Sequence, residues 1–269
     1  MTQARGSFRI VQFSDIHCGD PRFDGDLMDK VIEEANEADP DLVVVPGDLT
    51  AAGYREQFEQ AKGYLDRIEC DQRIVIAGNH DCRNVGYLYF EHIIGSRYAT
   101  VDFDFAVACE GRVQDRVKVV AVDSNKPDLN DGEVGRGKYD WIKSEFQDPS
   151  HYKVFVLHHH LVSVPGTGRE RNIVWDAGDV LRQLREAGAD LVLAGHKHVP
   201  FVWPVAGMLI VNSGTACTWR TRGYQRPSYN IIEIGSETTT VSTRVPGEAK
   251  EAKEVYSRAA VKGGHPSRQ

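Results

Sequence analysis

Leu42-Val43-Val44-Val45 is an unbroken apolar run that stops at Pro46-Gly47-Asp48. So short a run without alternation reads as a central strand covered on both faces. Upstream, Phe8 to Phe13 reads as a strand, and Asp26 to Ala38 places Leu27, Val31, Ile32 and Ala35 at helical spacing. Downstream, the pattern predicts a helix over Tyr54 to Ile68, a strand over Arg73 to Ala77 and a short helix near Val85 to Ile94. Thr100 to Cys109 and Val117 to Asp123 follow as strands with no helix between them, so antiparallel pairing enters there. A helix over Gly137 to Phe146, a strand over Val154 to Leu157, a helix over Asp176 to Ala187 and a strand over Leu191 to Ala194 restore the α/β rhythm. Val199 to Val245 reads as strands and turns only.

This order predicts an α/β fold of two mixed sheets packed face to face, with helices on both outer faces. No internal repeat or Gly/Ser/Pro-rich linker divides the chain, so residues 1–246 are expected to form one domain. Residues 247–269 are expected to be a tail, with a short Ala/Lys/Glu helix that frays beyond Gly263-Gly264-His265-Pro266.

Composition narrows the function classes. The 269 residues are 41% hydrophobic and 26% charged, as in ordinary globular proteins. A chain of this size buries about three quarters of the surface it exposes unfolded and needs no staples. A net charge of −7 argues against a general nucleic-acid binder. It leaves room for a small phosphate substrate, because bound cations invert the field locally. Five scattered cysteines without a C-x-x-C spacing are expected to be reduced thiols in a cytoplasmic protein. The polar start at Met1 to Gly6 does not read as a signal peptide, and no apolar run is long enough to span a bilayer.

Five segments carry metal-ligand residue types just after apolar strands: Ser14-Asp15-Ile16-His17, Gly47-Asp48, Gly78-Asn79-His80-Asp81, His158-His159-His160 and Gly195-His196-Lys197-His198. Ligands in open α/β sheets bind beyond the carboxyl ends of strands, so all five would face one crevice. If the chain stays extended, period-two geometry points Asp15 and His17 to one side, and likewise His196 and His198. The glycines before Asp48, Asn79 and His196 suit unusual dihedrals or close backbone approach. Singly, Asp15-x-His17, Gly47-Asp48 and Gly78-Asn79-His80-Asp81 read as turns, while the His158 cluster and Gly195-His196-x-His198 are stronger signals because histidine is the commonest metal ligand among side chains. Their joint occurrence, in order and after strands, points to a metal site.

The ordered set D-x-H, G-D, G-N-H-D, strand-end His and G-H-x-H resembles the calcineurin-like metallophosphoesterases. That resemblance implies a four-layer α/β/β/α sandwich and two divalent transition metal ions, which the carboxylate, imidazole and amide donors would suit as Mn, Fe or Zn. It implies one ion held by Asp15, His17, Asp48 and His198. The other would be held by Asp48, Asn79, His158 and His196, with Asp48 shared. His80 is implied as the non-ligand histidine beside the scissile bond, with Asp81 orienting it or its surroundings. A hydroxide between the ions would attack phosphorus in line, and two divalent ions, two carboxylates and that hydroxide leave roughly one positive charge.

Retention of the histidine in Gly78-Asn79-His80-Asp81 resembles the diesterase branch of the family. Ser213-Gly214-Thr215-Ala216, then Arg220, Arg222 and Ser228-Tyr229-Asn230-Ile231, resembles the class III cyclic-nucleotide phosphodiesterases and their glycerophosphodiesterase relatives. The expected substrate is therefore a small phosphodiester, with Arg220, Arg222 and His159 as candidate substrate contacts and Ser163 to Arg171 as a rim over the site. A proline commonly follows the two histidines in the family. Here His160 takes its place, so His158 aligns as the ligand, His159 as its neighbour behind and His160 as structural. A phosphomonoesterase on the same metals and a non-catalytic scaffold are the alternative readings. No nucleic-acid or membrane partner is expected, and a homodimer is compatible with the sequence.

Overall fold

The computed structural model describes residues 6–109, 112–168 and 173–263. In chain order the strands are β1 (Phe8–Gln12), β2 (Leu42–Val45), β3 (Arg73–Val75), β4 (Ala99–Cys109), β5 (Arg112–Ala121), β6 (His151–Val156), β7 (Leu191–Ala194), β8 (Phe201–Val205), β9 (Met208–Asn212), β10 (Tyr229–Ile234), β11 (Thr238–Arg244) and β12 (Glu251–Ser257). The α-helices are α1 (Gly25–Glu37), α2 (Arg55–Leu65), α3 (Gly86–Ile93), α4 (Tyr139–Glu145), α5 (Ala177–Glu186) and α6 (Arg258–Lys262). One six-stranded sheet has the order β12-β11-β10-β1-β2-β3 and the other β4-β5-β6-β7-β9-β8. Within each sheet the strands leading to the site run parallel: β1-β2-β3 in the first and β5-β6-β7-β9 in the second.

Side-chain alternation builds four layers. Ile10, Leu42 and Val44 meet Val119, Val154, Val156, Leu193 and Val211 between the sheets. Their strand neighbours Val11, Val43 and Val45 turn outward onto Met28, Val31 and Ile32 of α1, Phe58 and Ala61 of α2, and Phe90 of α3. On the far side, Val120, Phe155 and Val192 pack against Tyr139 and Ile142 of α4 and Val180 and Leu184 of α5. All four residues of β2 are buried, as a strand covered on both faces requires. The architecture is thus the α/β/β/α sandwich of two mixed sheets that the sequence predicts.

Gln12 staples the two sheets at the site end of β1. Its Nε2 donates to the carbonyls of Ala194 (3.0 Å) and Val211 (3.2 Å) in the opposite sheet, while its Oε1 accepts from Asn230 Nδ2 (3.1 Å). A buried amide with its bonds satisfied fixes how the sheets sit relative to each other.

The C-terminal segment departs from the expected helix. Glu251 to Ser257 is strand β12, antiparallel to β11, and among the described residues the only helix there is the short α6. Tyr256 and Val261 are buried in the core between the sheets. Without β12, β11 would present a row of unpaired N–H and C=O groups at the sheet edge, and pairing them outweighs the helix preference of Ala, Lys and Glu. The expected fraying over Gly264, His265 and Pro266 lies outside the described residues, as do residues 169–171 of the expected rim.

Candidate metal centre and its cleft

The five predicted segments do leave the carboxyl ends of β1, β2, β3, β6 and β7 and converge at one place. The D-x-H pair is not extended, contrary to the period-two expectation. Asp15 (φ 56°) and His17 (φ 54°) are both left-handed, as are Asp48 (φ 55°), His196 (φ 85°) and His198 (φ 59°). Left-handed Asp and His are tolerated better than most side chains but still cost energy, and such strain gathers at functional sites. The turn is held by the neighbouring chain: Asp15 N–H donates to Gly47 O (3.0 Å), His17 N–H to Asp48 O (3.0 Å) and Cys18 N–H to Leu49 O (2.9 Å). From the other side Thr215 Oγ1 donates to Asp15 O (2.7 Å) and Ala216 N–H to Ser14 O (2.9 Å). The Ser213-Gly214-Thr215-Ala216 segment is therefore a brace for the Asp15 turn.

The glycines allow the segments to touch. A Cβ on Gly78 would sit 2.2 Å from Asp48 N and Asp48 Oδ1, and one on Gly195 would sit 2.1 Å from Ser14 Oγ and 2.8 Å from Asp15 Oδ2. At Gly47 the φ of +97° adds a conformational requirement to a contact 2.5 Å from Gly78 N.

Two donor clusters result, both buried. In the first, His198 Nε2 lies 3.0 Å from His17 Nε2 and 3.3 Å from Asp15 Oδ1. In the second, His158 Nε2 lies 3.1 Å from Asn79 Oδ1 and 3.2 Å from His196 Nδ1, which is itself 2.9 Å from Asn79 Oδ1. Asp48 faces both clusters, with Oδ2 at 3.7 Å from His17 Nε2 and Oδ1 at 3.5 Å from His158 Nε2. Asp15, His17 and His198 form one group able to hold a metal ion, and Asp48, His158 and His196 another. His17, Asp48 and His80 form a third such group.

The donors fit a cation better than they fit each other. His158 Nδ1 is 2.6 Å from Pro46 O and donates to it, so the neutral ring turns a lone pair toward Asn79 Oδ1 and Asp48 Oδ1, both acceptors. Asn79 is oriented by its Nδ2, which donates to Asn130 Oδ1 (3.1 Å) and so aims the carbonyl oxygen inward. His198 is set in the same way by Nδ1 donating to Arg220 O (2.5 Å). A histidine fixed through one nitrogen by a carbonyl is the usual arrangement for metal ligation through the other. Among the described residues, His17 Nδ1 and His196 Nε2 are buried without a hydrogen-bond partner.

Electrostatics say the same. Burial alone would lower His158, but the Asp48 carboxylate carries it up to about 9. Burial would raise Asp15 and Asp48, yet His198 for Asp15 and His158 and His80 for Asp48 hold both carboxyls below their ordinary value. Burial pushes His17 down to about 3. The pocket thus draws positive charge to the points where lone pairs meet.

Near these clusters, His80 donates its backbone N–H to Asp48 Oδ1 (2.8 Å), and its Nδ1 is 2.6 Å from Ala51 O. Its Nε2 makes no hydrogen bond among the described residues, and the ring lines the cleft. Burial holds its pKa below the ordinary histidine value. Among the described residues, the Asp81 carboxylate makes no hydrogen bond to the His80 ring. It accepts from Leu49 N–H (3.1 Å), Thr50 N–H (2.9 Å), Thr50 Oγ1 (2.8 Å) and Gly78 N–H (2.9 Å), and so orients the loops instead of the ring. Burial and the Asp48 charge push its carboxyl up to about 7 against those donors.

His159, expected as a substrate contact, is 0% exposed. Its Nδ1 meets Ser124 Oγ (2.9 Å) and its Nε2 meets Asn130 O (3.3 Å), so the ring stands behind the site with both nitrogens engaged. His160 Nε2 bonds Gly195 O (2.7 Å) and supports the His196 turn. Of the three consecutive histidines, His158 is the one in the donor cluster.

A cleft of about 320 Å³ opens over Asn79, His80, His196 and His198. Five basic residues line it, Arg22, Arg83, Lys197, Arg220 and Arg222, and among the described residues no acidic one does. Arg220 and Arg222 are thus where a substrate contact was expected. Arg83, Lys197, Arg22 and Asn130 were not singled out in the sequence. Arg83 follows His80 by three residues and Lys197 fills the variable place in Gly195-His196-Lys197-His198, so motif neighbours facing the same cleft were the available signal. Asn130 sits in a loop that carries none.

The fold and the paired His/Asp clusters define a metallophosphoesterase-type centre. The calcineurin-like phosphoesterase family model matches residues 8–200, and the chain belongs to that family. A protein of Rhodococcus erythropolis named "probable cyclic nucleotide phosphodiesterase" is 25% identical over 68% of this chain and 60% of its own length. A Synechococcus protein named in the same terms is 25% identical over 64% of this chain and 63% of its own. The chain therefore spans somewhat under two thirds of these relatives. A dimetal phosphatase from Danio rerio superposes with a TM-score of 0.66 at 13% identity, over 93% of this chain and 99% of that one. Such a likeness shows a shared fold. No helix of the described residues is long and apolar enough to cross a membrane.

Proposed function

We propose that the protein hydrolyses a small phosphodiester, of the cyclic-nucleotide or glycerophosphodiester class, at a centre of two divalent transition metal ions. The observation that carries this reading is Asp48, whose two carboxylate oxygens face two separate buried donor clusters. A shared carboxylate between two such clusters is what a pair of ions requires. The names of the two bacterial relatives support the diester.

Asp15, His17, Asp48 and His198 would hold one ion, and Asp48, Asn79, His158 and His196 the other. When bound, such a pair supplies a nucleophile from water near neutral pH and offsets phosphate charge. His80 is assigned to proton exchange with the leaving oxygen, since the first ion already has four donors and the ring faces the cleft. Ala51 O and the Asp48 contact fix the ring, and Asp81 fixes the loops that carry both. Arg220 and Arg222 would attract the anionic substrate through the field of the cleft.

The test compares Mn-loaded protein on bis-(p-nitrophenyl) phosphate and on p-nitrophenyl phosphate, with bound metal measured in the same sample. Two ions per chain and preference for the diester are expected. A strong monoester preference would replace the diesterase with a phosphomonoesterase, and a protein that takes up no metal would leave a binding scaffold.

A further inference from the structure

Among the described residues, three of the five cations over the centre are tied to a partner. Arg220 is paired with Asp20 (3.7 Å), Arg22 with the same carboxylate (3.1 Å), and Arg83 donates to Asn130 Oδ1 (2.7 Å). Lys197 and Arg222 line the same cleft. Among the described residues, neither makes a hydrogen bond or ion pair through its charged end. Holding two like charges at one opening is unfavourable unless an anion joins them. An arginine fork and a lysine point charge are the two side chains that bind phosphate best.

The charge at the centre does not account for them. The roughly single positive charge expected of the loaded centre already matches the single negative charge of a simple diester. In a chain of net charge −7, concentrating cations without a direct partner at this place favours more anion than one diester carries.

We propose that Lys197 and Arg222 form a subsite for a second phosphate group, so that the phosphodiester attacked belongs to a molecule carrying at least one further phosphate. This rests on the phosphoester-hydrolase reading of the centre. Lys197 lies between the left-handed His196 and His198, so its backbone is held beside the centre and its side chain lines the cleft. Arg222 is exposed on the loop after Trp219, and its removal disturbs no packing.

The experiment is calorimetric titration of the metal-loaded protein with adenosine 5′-monophosphate, adenosine 5′-diphosphate and adenosine 3′,5′-bisphosphate. At least one of the two bisphosphorylated ligands is expected to bind about tenfold tighter than the monophosphate. Lys197→Met and Arg222→Gln should each reduce that preference, and the double variant should bring it within about twofold. Equal affinity for all three nucleotides, or a preference kept by the double variant, overturns the subsite. Binding is read without turnover. If the protein prefers a second phosphate yet hydrolyses neither p-nitrophenyl ester, the hydrolase reading fails and the subsite stands.

Discussion

Asp81 accepts two hydrogen bonds from Thr50 on a single carboxylate oxygen, one from the backbone N–H (2.9 Å) and one from the hydroxyl (2.8 Å). Its other oxygen takes Leu49 N–H and Gly78 N–H. One buried carboxylate thus fastens the loop after β3 to the loop after β2, and with them Asn79 and Asp48. All four partners are donors, so Asp81→Asn must turn its amide NH₂ against one pair of them. A buried donor left facing donors costs about 1–3 kcal/mol. The variant should lose about that much stability by urea denaturation and bind metal more weakly. Unchanged stability with unchanged metal content would remove Asp81 from the scaffold of the site.

Gly195 is the second point where shape decides function. An added Cβ would overlap Ser14 Oγ and press on Asp15 Oδ2, the carboxylate that His196 N–H also holds at 2.9 Å. Overpacking of this kind costs roughly 1–3 kcal/mol. Gly195→Ala should therefore fold with a lowered melting temperature but lose at least about a hundredfold in turnover, since misplacing a reacting group by about 1 Å has that effect. Wild-type turnover in this variant would mean that Asp15 does not need its position.

Much of this centre was legible because chemistry and strand ends coincide in the sequence. Asp15, His17, Asp48, Asn79, His158, His196 and His198 were named from motifs, and the structure gathers them. What failed was the local geometry: the D-x-H pair is set by two left-handed residues and a neighbouring loop, which side-chain periodicity does not encode. The burial of His159 is not legible in the sequence because its partners, Ser124 and Asn130, are distant in sequence and lie in loops. Strand β12 was missed because what settles it is the open edge of β11, a tertiary demand that overrides local helix preference.

Ligands and proton carriers should separate on metal analysis. Asn79→Ala removes the amide oxygen that lies near both His158 and His196, so about one of two ions should be lost, with activity falling in parallel. His80→Ala should keep both ions and lose about 10²–10⁴ in rate, the range for a positioned proton carrier. His80 does approach His17 and Asp48 closely enough to ligate. Loss of an ion in His80→Ala would therefore move it from proton transfer to coordination.

The pH dependence of stability should change shape when metal is removed. Burial pushes His17 down to about 3 and His160 down to about 4, while both have ordinary values near 6.5 when unfolded. Between those limits the unfolded chain binds more protons, so the stability of the metal-free protein falls as pH drops below about 6.5. His158 has the opposite sign. Asp48 raises it to about 9, so its contribution is complete below about 6.5 and is lost as pH rises through 9. Each proton contributes a slope of up to about 1.4 kcal/mol per pH unit. Urea midpoints in chelator should peak near pH 6.5 and decline on both sides. A bound ion takes the place of the His158 proton, so in Mn the decline toward pH 9 should disappear. The acid decline should steepen, because protons then compete with metal for His17 and His158. A metal-free protein that gains stability from pH 6.5 to 9 would show that His158 is not protonated by Asp48.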